Sequence, residues 1–222
     1  MATTVEAPPR IAPILPATPL TSRWLAQPTN RYFTIGGAVL AVALIASFLV
    51  LSGRRKEAFA GRALDQARNA AESGNLALAA SELQKVSTTY SGTRAAQEAV
   101  ITLNQVRLVN GQHELAAVGL QDFLKGSPAV EFRAPAYGLL GRALENAKRP
   151  SEAADAYDKA SATAGVDYLR ADYLLDAARA RLAAGERDKA IANYRRVTQE
   201  FPKAAANTEA EIRLAELTAG AT

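Results

Sequence analysis

Four turn positions, Gly74, Gly111, Lys148 and Gly185, recur at intervals of 37 residues, and that spacing constrains the fold more than any other feature of the chain. The stretches that follow them read "GNLALAASELQKV", "GQHELAAVGLQDF", "KRPSEAADAYDKA" and "GERDKAIANYRRV". The sixth residue of each is alanine: Ala79, Ala116, Ala153 and Ala190. Four residues on stand Leu83, Leu120, Tyr157 and Tyr194, and three further on Val86, Phe123, Ala160 and Val197. Offsets of four and three place these residues on one face of a helix.

A second break follows each turn by 17 residues, at Ser91-Gly92, Pro128, Gly165 and Pro202, where glycine and proline stop a helix. Ahead of each turn lies another helix-length apolar pattern, with Ala63, Val100, Tyr137 and Leu174 in phase. Beside it Ala67, Asn104, Gly141 and Ala178 are mostly small, where a neighbouring helix can cross closely. The unit is therefore helix, turn, helix. One such hairpin cannot bury its own apolar face, so the copies must stack, with a polar-backed helix closing the end. The stretch "KAAANTEAEIRLAELTAG" has that character, with Ile212, Leu214, Ala215 and Leu217 read as one apolar side.

This pattern resembles the tetratricopeptide repeat (TPR) family. The resemblance lies in the small residue of the first helix, the glycine before the second, the early alanine, the aromatic or leucine four on, and the closing proline. The family's period is about 34 residues, shorter than here, and its usual tryptophan in the first helix is absent. The expected fold class is all-α: a single transmembrane helix, then a TPR-type α-solenoid of four helical hairpins and a capping helix. Repeats are expected at residues 57–92, 93–129, 130–166 and 167–202, with the cap at 203–219, inside a domain of residues 54–222.

The transmembrane expectation rests on Tyr32 to Gly53, 22 residues without a charge, closed by Arg54, Arg55 and Lys56. A helix of that length spans about 33 Å, enough for a hydrocarbon core of about 30 Å. A signal peptide's apolar region is about 7–15 residues and starts nearer the front. A soluble helix would keep a polar face, which this stretch lacks. Gly37 and Ala41 give a small-xxx-small spacing open to self-association. Residues 1–31 carry six of the ten prolines and read as a disordered tail.

Charge separates the two parts. Residues 1–56 hold six Lys/Arg against one acid, and the remainder 20 against 21, so the basic balance belongs to the membrane flanks and implies no nucleic-acid partner. Close to the apolar stretch, Arg54, Arg55, Lys56, Arg62 and Arg68 follow it while Arg23 and Arg31 precede it. The positive-inside rule alone would place the repeats in the cytoplasm, although long domains translocate largely regardless of charge.

Nothing in the sequence has the spacing of an active site. There is no cysteine, and the lone histidine, His113, falls in the predicted turn of the second hairpin. No phosphate-binding glycine loop or metal-ligand cluster is present, so neither catalysis, metal, cofactor nor small-molecule substrate is expected. A solenoid binds proteins or peptides along an extended surface. One in-phase column stands out there: Arg68, Gln105, Arg142 and Arg179. The TPR resemblance implies that this position faces the groove, where arginine forks suit a peptide's carboxylates. Asp65 and Asp176, three residues before Arg68 and Arg179, offer a plain intrahelical pairing instead. The whole arrangement resembles the YfgM-like TPR proteins of the bacterial inner membrane. That resemblance implies a periplasmic domain serving the Sec translocon, chaperones or secreted clients. A cytoplasm-facing assembly or import receptor and a self-associating scaffold are the alternatives.

Overall fold

A computed structural model describes residues 28–219; the proline-rich tail expected at 1–31 falls almost wholly outside them. The described residues form nine α-helices and no strand. These are α1 (Pro28–Glu72), α2 (Leu76–Thr89), α3 (Arg94–Val109), α4 (His113–Lys125), α5 (Val130–Asn146), α6 (Pro150–Thr163), α7 (Asp167–Ala183), α8 (Arg187–Glu200) and α9 (Ala206–Ala219). The chain divides into two compact units, residues 1–53 and 54–222.

In the first unit, α1 carries the apolar stretch. Ten Ile, Val, Leu and Phe side chains from Ile35 to Leu51 are each 54–70% exposed. The core helix of a soluble domain would bury such side chains; this segment leaves them open, and it is long and apolar enough to cross a membrane. The helix does not break at Gly53, which is followed by good helix formers, and an interior glycine costs only about 1 kcal/mol.

In the second unit, residues 54–72 of α1 pair with α2, α3 with α4, α5 with α6, and α7 with α8, and α9 closes the stack. The alanines of the repeat, Ala79, Ala116, Ala153 and Ala190, are all fully buried. A methyl is the largest group that lets the two helices of a hairpin approach there. Leu83, Leu120, Tyr157 and Tyr194 fill the next layer, each no more than 4% exposed. The apolar contacts run from Ala60, Leu64 and Ala67 of α1, through Leu120, Leu140 and Leu144, to Leu174, Tyr194 and Val197. Tyr157 is accommodated because Gly141 faces it: a Cβ at 141 would stand 2.6 Å from its ring.

The hairpin turns share one backbone geometry. Gly74, Gly111 and Gly185 have φ of +81°, +74° and +76°, and Lys148 in the same register takes φ +62°. Left-handed backbone is natural for glycine and strained for lysine. Two sequence expectations are corrected. His113 is the first residue of α4 rather than part of the turn. On α9 the buried stripe is Ala206 and Ala210, continued by Leu214 and Leu217, while Ile212 is exposed. At 100° per residue, Ile212 lies about 200° from Ala210.

Candidate functional site

The first helices of the four hairpins (α1, α3, α5, α7) present one solvent-facing register each, and the predicted column lies on it. Arg68 donates to Glu98 of α3 at 2.5 Å. Arg179 donates to Asp176 at 3.0 Å and, through Nε at 2.9 Å and a second nitrogen, to Glu209 of α9. In both cross-helix pairs the acid lies 30 residues after the arginine, one repeat less two helical turns. The column is thus a ladder of clamps from one first helix to the next. Asp65 has no part in it, whereas Asp176 pairs as the intrahelical reading expects.

The two middle rungs differ. Gln105 meets Pro135 in the acid's register, and neither can form an ion pair. Arg142 has Asp172 in that register but makes no ion pair among the described residues, and it is exposed. It lies close enough to Tyr173 to oppose the upward push that burial gives that phenol. The structure therefore brings Arg68 and Gln105 together and leaves Arg142 free, while Arg179 is fully engaged.

Around Gln105 the surface sinks into a groove of about 280 Å³. Its floor is Ile101, Phe132 and Pro135, and its rims are Arg68–Glu98 and Arg94–Glu131, the latter 3.7 Å apart. Pro135 has no N–H, so the Glu131 carbonyl loses its intrahelical donor on this same face. An apolar floor with paired charges at the edges and an unpaired guanidinium one repeat on suits a peptide with an apolar side chain followed by a carboxylate.

A tetratricopeptide-repeat family model matches residues 172–204. Two crystal structures of nearly identical TPR-like repeats from a Podosopora anserina putative kinesin light chain, one of them a point variant, superpose with TM-scores of 0.56. They are 19% and 18% identical and cover 70% of this chain and 83% of theirs. A tetratricopeptide repeat protein from Parabacteroides merdae superposes with a TM-score of 0.57 at 9% identity, covering 72% of this chain and 60% of that one. This is the TPR fold. No curated protein matches the chain by sequence.

The TPR domain carries a second charged constellation that sequence reasoning missed. Arg181 of α7 is buried and donates to Asp155 at 2.8 Å, Asp158 at 2.9 Å and Glu186 at 2.6 Å. Burial alone would lower its pKa, but bonds to Asp158, Glu186 and Asp155 raise it. Ser151, Lys189 and Arg181 together hold the Glu186 carboxyl down to about 2. Asn193 donates to the other oxygen of Asp158 at 3.0 Å, so the network ties α6, α7 and α8 together. The signal existed in the 37-residue register: Arg107, Leu144 and Arg181 are in phase, as are Gln84, Gln121 and Asp158. Arg107 reaches Gln84 at 3.4 Å, the same bridge in weaker form.

His113 offers no chemistry of this kind. Its Nδ1 is buried without a partner, and among the described residues no group of His and acids is placed to hold a metal.

Proposed function

We propose that the chain is a membrane-anchored TPR adaptor that docks a protein partner along its first-helix face. The observation that carries this reading is the interruption of the arginine–acid ladder at its middle rungs. Arg68 and Arg179 spend their charge on Glu98 and Glu209, while Gln105 lines an apolar groove and Arg142, one repeat on, stands exposed, each with hydrogen-bonding capacity unused. A stack of TPR hairpins makes such a surface extended and concave. Of the predicted contact residues, Arg142 and Gln105 touch the partner and Arg68 and Arg179 set the spacing of the helices beneath it.

The apolar part of α1 supplies the anchor, placing the domain at a membrane face. In the YfgM-like reading that face is the periplasmic side of the bacterial inner membrane, and the partner is a translocon subunit, a chaperone or an emerging client. The cations after the anchor favour the opposite side by the positive-inside rule. Three of those five have another employment in the folded domain: Lys56 donates to the Ser91 carbonyl at 2.7 Å, Arg62 lies over the Phe59 ring, and Arg68 pairs with Glu98. Their presence is accounted for without a topological role.

Two experiments test this. A photo-crosslinking residue at position 105 or 142 of the full chain, in intact cells, is expected to trap a discrete protein partner. The same residue at the exposed Lys85 of α2 is expected not to. Equal trapping at all three positions would refute the face assignment. Protease added to spheroplasts is expected to digest the TPR domain; protection would place it in the cytoplasm.

A further inference from the structure

The second-helix side carries a larger groove, of about 390 Å³, between α4 and α6 with α5 as its base. The equivalent groove at the first junction, where Arg107 stands in the place of Leu144, is smaller, about 220 Å³. At the first and third junctions between hairpins an arginine of the first helix reaches back to the preceding second helix: Arg107 to Gln84, and Arg181 to Asp158. At the middle junction that position is Leu144, opposite Gln121. Leucine cannot bridge back to α4 there, and the tie between α4 and α6 is made at their N-terminal ends instead, where Arg149 donates to Glu114 at 3.0 Å. The floor is apolar, formed by Leu124, Leu140, Leu144 and Ala156.

The rim decides the occupant. Lys125 is held by Asp122 at 2.9 Å, Glu152 by Arg149 at 2.7 Å, and Asp155 by Arg181 at 2.8 Å. Both acids on the rim are therefore satisfied. The side chains of Lys159, Gln121 and Tyr137 make no hydrogen bond or ion pair among the described residues, and Lys159 is open to solvent at the rim. The unused capacity is chiefly that of donors around an apolar floor, with one unpaired positive charge. Val118, one turn before Gln121 on α4, is half exposed.

We propose that this groove is a second docking site, separate from the first-helix face, for a protein segment that presents a leucine- or phenylalanine-sized side chain beside a carboxylate. The apolar side chain covers Leu140 and Leu144, and the carboxylate meets Lys159. A volume of this size is at the lower end of what binds compact ligands and accommodates one or two side chains. The site does not depend on what the first-helix face binds, so the two readings fail separately.

The test uses the full chain in detergent micelles and two dye-labelled peptides that differ only in having glutamate or lysine beside the same leucines. Fluorescence anisotropy is expected to show the glutamate peptide binding at least threefold tighter than the lysine peptide, with Lys159→Glu reversing that order. Leu144→Arg, which puts an arginine where 107 and 181 have one, is expected to narrow the groove toward the smaller one at the first junction and lower binding of both at least threefold. Should Leu144→Arg disturb the fold, Lys159→Glu, at the solvent-facing rim, decides the matter alone. Every variant is made on an Arg142→Glu background, which takes the carboxylate contact of the first-helix face out of the reading, and Lys85→Glu, at an exposed position outside both grooves, is expected to leave both affinities unchanged. An order unaffected by Lys159→Glu, a change of order on Lys85→Glu, or binding of octanoate but of neither peptide would each overturn the assignment.

Discussion

Replacing Arg181 by leucine, the residue that the preceding repeat uses in the same register, tests how the hairpins are held together. The side chain is 9% exposed and contacts three carboxylates between 2.6 and 2.9 Å. Removing one partner of a buried ion pair costs about 3–5 kcal/mol because it strands the others. Here the stranding is partial. Asp155 is largely in water, and Glu186 keeps Ser151 and Lys189, so only Asp158 stays half-buried with Asn193 as its remaining donor. The expected cost is therefore about 2–3 kcal/mol, the lower end of that range reduced for solvent screening.

Because a solenoid's stability is a sum over neighbouring units, the loss should stay local. Native-state hydrogen exchange on the full chain in micelles reads this directly. Amides of α6, α7 and α8 are expected to exchange about 30–150-fold faster, at about 1.4 kcal/mol per tenfold, while α2 and α3 stay near their original rates. Adding Asp158→Gln reproduces the Leu144–Gln121 pairing and is expected to recover at least half of the loss. Exchange altered less than threefold at α6–α8, or no recovery in the double variant, would refute the claim that this network clasps hairpins three and four.

Other expectations rest on single residues. Lys148→Gly relieves a left-handed lysine and is expected to stabilise the domain by about 0.5–1 kcal/mol in urea unfolding, whereas Gly111→Lys should destabilise it. Tyr194 buries a hydroxyl with no partner, so Tyr194→Phe is expected to be neutral or stabilising by about 1 kcal/mol. Tyr157 differs: its hydroxyl donates to Glu145 at 2.7 Å, and burial with that carboxylate raises its pKa, so Tyr157→Phe should cost about 1 kcal/mol in the same urea measurement. The Glu186 carboxyl is held below its usual 4.5, at about 2, so its contribution is complete above 4.5 and is lost as pH falls toward 2. Circular-dichroism melts should show the domain weakening across that window, and Glu186→Gln should flatten the dependence.

The hairpins were legible because their determinants are local and in phase. A turn needing φ > 0, an alanine at helix contact and a large side chain four residues on repeat at 37 whatever surrounds them. Cross-helix chemistry was less legible. Arg68 and Arg179 stand in a visible column, but their acids lie 30 residues away rather than 37, so reading down the column never pairs them. Only the geometry of adjacent first helices supplies the two-turn offset. Arg181 was in phase with Arg107 all along. What no period reveals is that one of these is buried among three acids while the other rests on an amide. The run of α1 through Gly53 had the opposite cause: glycine next to a charge cluster looks like a boundary, yet Arg54 to Ala58 contains only residues that propagate a helix.

One helix concentrates the departures from the repeat, and both open surfaces adjoin it. On α5, Pro135 stands where the ladder of the first-helix face would have an acid, and Leu144 stands where the bridge of the second-helix side would have an arginine. Gly138 and Gly141 bring Tyr173 and Tyr157 into contacts that a Cβ would forbid, at 2.4 and 2.6 Å. Around α5 the apolar core is thereby packed by tyrosine against glycine. Each omitted ion pair removes a clamp worth about 1 kcal/mol on the exposed side and more on the buried side. In each place the groove is floored by a largely buried core side chain, Phe132 on one side and Leu140 on the other. A repeat under selection for stacking alone would keep its clamps in register along the whole stack. The middle junction keeps other ties, Arg94–Glu131 between α3 and α5 and Arg149–Glu114 between α6 and α4, so what α5 gives up is the in-register clamps, at the two places where the grooves lie.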